Sequence, residues 1–232
     1  MKYKKKILCF FLCIALMTGL FPVSAAFAAA DWPTDVSISA DGGILMDAGS
    51  GAILYEKNSR EAYYPASITK ILTALVILEN CDLDETVTFS NEAVNTLEPG
   101  ASILGARAGD QLSVRECLYA LLLQSANEVA NALAEHCSGS IDAFAELMNE
   151  KARSLGCTSS NFANPSGLND PDHYTTARDM AKIAGAAFKN ETLQKISSSL
   201  SYEFPATKAA AARTITPGHK MLYPSDSRYY EG

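Results

Sequence analysis

Ser67-Ile-Thr-Lys-Ile-Leu-Thr-Ala-Leu-Val-Ile-Leu-Glu79 is the stretch that decides how this chain folds. Apolar residues at 68, 71, 72, 75, 76 and 78 surround most of a helix, which predicts burial at the centre of a domain. Pro65 leads into it. Its opening holds a polar pair, Ser67 and Lys70, and residues three apart share one helix face. The ammonium can therefore reach the hydroxyl one turn below, beside backbone N–H groups suited to an oxyanion. A lysine that takes a proton from serine must be partly neutral, and burial favours its neutral form. Lowering it from ~10.4 to near 7 costs about 4–5 kcal/mol, which a tightly packed helix can sustain. The plain alternative is a capping serine with a snorkelling lysine, and the same spacing arises by chance about once in such a chain.

Outward from this helix the pattern mixes strands and helices without internal repeats. Gly43–Asp47 and Ala52–Glu56 flank Ala48-Gly-Ser-Gly51 and predict a β-hairpin. Ser113-Val-Arg-Glu116 is a capping box that opens a helix over Val114–Leu123. Ser125-Ala-Asn127 follows, where apolar helix gives way to polar groups, and a further helix is predicted over Glu128–Glu135. Ile141–Leu155 is amphipathic, with Ser140 as its cap and Gly156 as its terminator. Asn164-Pro-Ser-Gly167 predicts a turn. Thr176-Ala-Arg-Asp179 caps a helix ending near Asn190, and Leu200–Phe204 and Arg213–Thr216 are weak strands.

The 232 residues are 48% hydrophobic and 19% charged, enough apolar surface for a core and too much for a disordered chain. The net charge of −7 argues against nucleic acid as a partner. Lys2, Lys4, Lys5 and Lys6 precede an apolar run, Ile7–Leu20, and small residues ending in Ala26-Phe27-Ala28. That is the layout of a cleaved signal peptide over residues 1–28, since the run falls short of the ~20 residues that span a bilayer. The expected product is an exported, acidic domain over 29–232. Cys81, Cys117, Cys137 and Cys157 allow three pairings, which spacing alone leaves open. No C-x-x-C occurs and His136, His173 and His219 lie far apart, so no metal site or cofactor is predicted.

Ser-x-x-Lys followed by Ser-x-Asn is the order found in penicillin-binding proteins and class A β-lactamases. Four segments extend it: Tyr64-Pro-Ala-Ser-Ile-Thr-Lys-Ile-Leu-Thr-Ala-Leu75, Leu122-Leu-Gln-Ser-Ala-Asn-Glu128, Phe162-Ala-Asn-Pro-Ser-Gly-Leu168 and Tyr174-Thr-Thr-Ala-Arg-Asp-Met-Ala181. Together they resemble the serine-type D-alanyl-D-alanine carboxypeptidases, the low-molecular-mass penicillin-binding proteins. The resemblance spans about residues 31–232. It implies an α+β, β-lactamase/DD-peptidase-like fold: a helical subdomain plus an antiparallel sheet, incomplete in this chain. It further implies Ser67 as nucleophile, Lys70 as general base, Ser125 as proton relay and Asn127 as the group that holds Lys70 or binds substrate. The implied partners are a peptidoglycan stem peptide ending in D-Ala-D-Ala and β-lactams as inhibitors. The implied location is the cell wall or the outer face of the cytoplasmic membrane.

One departure stands out. The sequence contains no Lys-Thr-Gly, His-Thr-Gly or Lys-Ser-Gly, the triplet that in this family binds the substrate carboxylate beside the oxyanion hole. His219-Lys-Met-Leu-Tyr-Pro224 resembles the stretch just before that triplet. The chain is therefore expected to be an incomplete copy, without the later strands, the C-terminal β-rich domain and the amphipathic segment that attaches relatives to membranes. A lost oxyanion donor costs ~10²–10³ in kcat. Two alternatives stay open at this point: an inactive or truncated wall- or penicillin-binding module, and a β-lactamase. The second is disfavoured because Ser125-Ala-Asn127 replaces S-D-N and no E-x-x-L-N is present. The absence of a G-x-S-x-G elbow disfavours a Ser-His-Asp hydrolase.

Overall fold

Helix α1, Lys70–Asn80, runs through the core with Leu72, Thr73, Ala74, Val76 and Ile77 all buried. The computed structural model describes residues 36–227. The chain divides into two units, 1–37 and 38–232, and of the first only Val36 and Ser37 are described. The signal peptide expected over 1–28 lies outside the described residues. In the second unit α1 packs against four helices: α3 (Val114–Leu123), α4 (Asn127–Ser138), α5 (Ile141–Ser154) and α6 (Ala177–Ala187). A helix contacted on so many sides buries nearly its whole circumference, which is why its sequence is apolar all round.

The flanking helices begin where their caps dictate. Ser113 accepts from the Glu116 N–H while the Glu116 carboxylate takes the Ser113 N–H, so the capping box closes in both directions. Ser140 and Thr176 accept from the N–H of Ala143 and Asp179 at the starts of α5 and α6. Gly156, at φ +77°, follows the end of α5. Asn190 caps a short helix, α7 (Glu191–Ser197), by accepting from the N–H of Thr192 and Leu193. The helix expected to end near Asn190 ends at Ala187, and α7 is a further short helix beyond it.

The strands form three separate antiparallel pairs among the described residues. β1 (Gly43–Met46) pairs with β2 (Ile53–Lys57), packs on α6, and carries an irregularity between Leu45 and Met46. β3 (Thr86–Thr88) pairs with β4 (Gln111–Ser113), and β5 (Tyr202–Phe204) pairs with β6 (Arg213–Ile215). Between β3 and β4 lies a five-residue helix, α2 (Asn91–Asn95). The result is an α+β fold, a helical subdomain with small antiparallel sheets. No helix among the described residues is long and apolar enough to cross a membrane.

Candidate active site

The helix expected from Ser67 begins three residues later. Ala66–Thr69 form a 3₁₀ turn that runs into α1 at Lys70. Ala66 has φ +49°, a left-handed conformation uncommon for a residue with a Cβ. The turn leaves Ser67 exposed while Lys70, one turn on, is only 2% exposed. Lys70 Nζ lies 3.1 Å from Ser67 Oγ, 2.7 Å from Asn127 Oδ1 and 2.6 Å from the Ser166 carbonyl. Ser125 Oγ donates to Ser67 Oγ at 2.9 Å. The four residues singled out in the sequence therefore meet around one nitrogen and one hydroxyl.

Each partner is held by its own element. Ser125 sits between α3 and α4 with φ +54°, a bend that turns its hydroxyl towards Ser67. Asn127 opens α4, and its carboxamide is engaged at both ends, accepting from Lys70 and donating to the Ser102 carbonyl at 3.0 Å. Its backbone N–H donates to the same carbonyl at 2.9 Å. Burial pushes the Lys70 ammonium down from 10.5 to about 8, against the opposing pull of the Glu128 carboxylate. Glu128, the next residue of α4, is itself buried and raised by burial, while the N–H groups of Gly105 and Ala106 hold its Oε1.

The third wall is the Asn164–Gly167 turn. Asn164 Oδ1 accepts from the N–H groups of Ser166 and Gly167 and from Ser166 Oγ, which fixes the turn and aims the Ser166 carbonyl at Lys70. Thr73, one turn beyond Lys70, donates to the Pro165 carbonyl at 2.7 Å. His173 Nδ1 accepts from the Ala163 N–H, so its Nε2 carries the proton and donates to Thr69 Oγ1 at 2.9 Å. Gly167 lies against the Ser67 turn: a Cβ there would stand 1.9 Å from the Ala66 carbonyl oxygen. In the sequence this segment is a turn and one of the four stretches that carry the family resemblance, with no role assigned to it at Lys70. Main-chain carbonyls such as those of Ser166 and Ser102 carry no side-chain signature. Glu128 had one, an acid in the first turn of a helix whose following positions Val129, Ala130, Ala132 and Leu133 are apolar.

The Peptidase_S11 family of D-alanyl-D-alanine carboxypeptidases matches residues 27–221. The chain belongs to this family. It is 37% identical over 190 residues to the D-alanyl-D-alanine carboxypeptidase DacF of Bacillus subtilis, covering 79% of this chain and 48% of that protein. It is 38% identical over 169 residues to DacC of Escherichia coli, covering 69% of this chain and 42% of the other. The chain thus spans about half the length of these curated relatives. Among solved structures, a mutant of the Streptomyces K15 DD-transpeptidase superposes with TM-score 0.75 at 31% identity, over 82% of this chain and 78% of that one. A D-alanyl-D-alanine carboxypeptidase from Mycobacterium tuberculosis gives 0.74 at 33%, over 83% and 73% of the two chains. Family membership accounts for the order of the motifs: residues far apart in sequence are brought to one site by a shared fold.

Proposed function

We propose that Ser67 attacks the carbonyl between the two terminal D-alanines of a peptidoglycan stem peptide. The C–N bond breaks, D-alanine leaves, and water later hydrolyses the Ser67 ester. The observation that carries this reading is the placement of Lys70 Nζ, buried and ringed by Ser67 Oγ, Asn127 Oδ1 and the Ser166 carbonyl. Neutral Lys70 takes the Ser67 proton as the new C–O bond forms. Ser125, bonded to Ser67 Oγ, relays a proton to the departing amine, and Asn127 holds Lys70 in line. A β-lactam, whose strained amide resembles the scissile bond, acylates Ser67 by the same step. The basic, apolar and small-residue runs of 1–28 and the family's extracytoplasmic substrate support export as the setting for this chemistry.

The test is release of D-alanine from a pentapeptide ending in D-Ala-D-Ala. The wild-type chain should release it, about 10²–10³-fold more slowly than a relative that carries the Lys-Thr-Gly triplet, and Ser67→Ala and Lys70→Ala should not. Ser125→Ala should lower acylation by roughly 10²–10⁴-fold, the usual contribution of a positioned proton-transfer group. Peptide binding that survives Ser67→Ala, with no D-alanine released by the wild type, would make the chain a binding module instead.

A further inference from the structure

The sequence argued against a metal site because its cysteines and histidines are dispersed, yet the fold gathers several of them at one place. Cys81 caps the C-terminal end of α1, and Glu85 closes the turn that follows it. His136 and Cys137 lie in the last turn of α4. The Cys81 Sγ, a Glu85 carboxylate oxygen and a His136 ring nitrogen all lie within 4.8 Å of one another. The Cys137 thiol lies beside that of Cys81 and interacts with it. A carboxylate–imidazole pair alone would be an ordinary ion pair. Two thiols against it make a mixed sulfur, nitrogen and oxygen donor set, the one that suits zinc.

We propose that Cys81, Glu85, His136 and Cys137 bind one divalent ion of the zinc class. Donor atoms around tetrahedral zinc stand roughly 3.3–3.8 Å apart, given bond lengths of about 2.0–2.3 Å. Closing Cys81, Glu85 and His136 around an ion therefore takes side-chain movement of about an ångström, and Cys137 enters as the fourth ligand by a further turn of its side chain. Glu85 is already oriented: its Oε1 accepts from the Asp82 N–H at 2.6 Å, leaving Oε2, now 2.8 Å from His136 Nε2, to turn to the ion. The turn itself, Cys81-Asp-Leu-Asp-Glu85, is acidic and attracts a cation. Partial exposure of Cys81, His136 and Cys137 gives the ion a way in. On binding, the ion displaces the thiol protons of Cys81 and Cys137 to solvent, while Glu85 enters as carboxylate and His136 as neutral imidazole.

Its place in the fold assigns it a structural role. The ion joins the C-terminal ends of α1 and α4, and the opposite ends of these same helices carry Lys70 and Asn127. At 11 residues, α1 puts the two sites about 15 Å apart. Zinc is thus a staple on the two helices that aim the site, without touching its chemistry.

The experiment titrates the reduced, metal-free chain with Co²⁺ and then displaces it with Zn²⁺. The expected result is one equivalent bound, with thiolate-to-cobalt charge-transfer absorption that zinc bleaches, and a higher melting temperature with zinc. Cys81→Ser and His136→Ala should each weaken zinc binding by about tenfold or more. His219→Ala, an exposed histidine elsewhere, should leave it unchanged. Far-ultraviolet spectra of the metal-free variants, matched to the parent, separate a lost ligand from a lost fold. No charge-transfer band, a band of undiminished intensity in Cys81→Ser, or oxidation of Cys81 and Cys137 to a disulfide under excess zinc would each overturn the proposal.

Discussion

Lys70 carries three protons when charged, and the site offers it three acceptors: Ser67 Oγ, Asn127 Oδ1 and the Ser166 carbonyl. When one proton leaves, one partner must become a donor. A carboxamide oxygen and a main-chain carbonyl can only accept, so the lone pair falls to Ser67, whose hydroxyl alone can give a proton. Losing charge therefore turns the Lys70 lone pair towards Ser67 Oγ, as the proposed roles of base and nucleophile require. With Lys70 lowered to about 8 by burial, acylation of Ser67 by a β-lactam should rise with pH and level off above a midpoint near 8. Stopped-flow rates across that range check it, and a flat profile would separate Lys70 from the proton transfer. Ser125 adds a second residue-level prediction. Its φ of +54° costs about 1–2 kcal/mol in a residue with a Cβ. Ser125→Gly and Ser125→Ala should lose the relay equally, but the glycine variant should melt at or above the alanine one.

At the scale of elements, the site depends on how closely the Asn164–Gly167 turn approaches the 3₁₀ turn that carries Ser67. Gly167 has φ +82° and no room for a Cβ beside the Ala66 carbonyl. Gly167→Ala should therefore push the two turns apart, cost several kcal/mol through a clash and a strained φ together, and slow acylation. Thermal melting and β-lactam labelling of that variant measure both. Elements whose signal is local were legible in the sequence: the capping box at Ser113 and Glu116, the caps at Ser140 and Thr176, and the apolar α1. β3 and β4 were not, because three-residue strands pair across more than twenty residues and leave too short an alternation to read. The short helices α2 and α7 were missed for the same reason of length. Within the site, side chains at i and i+3 were readable, whereas the Ser102 and Ser166 carbonyls depend on tertiary placement.

For the molecule as a whole, buried His173 makes stability depend on pH. It is 1% exposed, and burial lowers its imidazole to about 4, with Asp170 pulling the other way. The unfolded chain, at ~6.5, binds the proton first, so folding is disfavoured as pH falls from about 6.5 to 4 and unaffected by this group above that window. The loss amounts to about 3 kcal/mol over the window. Denaturant melts at pH 7 and pH 4.5 should show most of it, and His173→Asn should flatten the difference. Residue and element scales meet here. Protonation adds the second proton at His173 Nδ1, which then can no longer accept from the Ala163 N–H, so acid loosens the segment that leads into the Asn164–Gly167 turn beside Lys70.

The most direct measurement of the central claim is peptide mapping by tandem mass spectrometry after brief exposure of the chain to penicillin at pH 8. A penicilloyl adduct on Ser67, lost in Ser67→Ala and strongly slowed in Lys70→Ala, is the predicted result. An adduct on another residue, or labelling of Ser67 at an unchanged rate without the Lys70 amine, would contradict it.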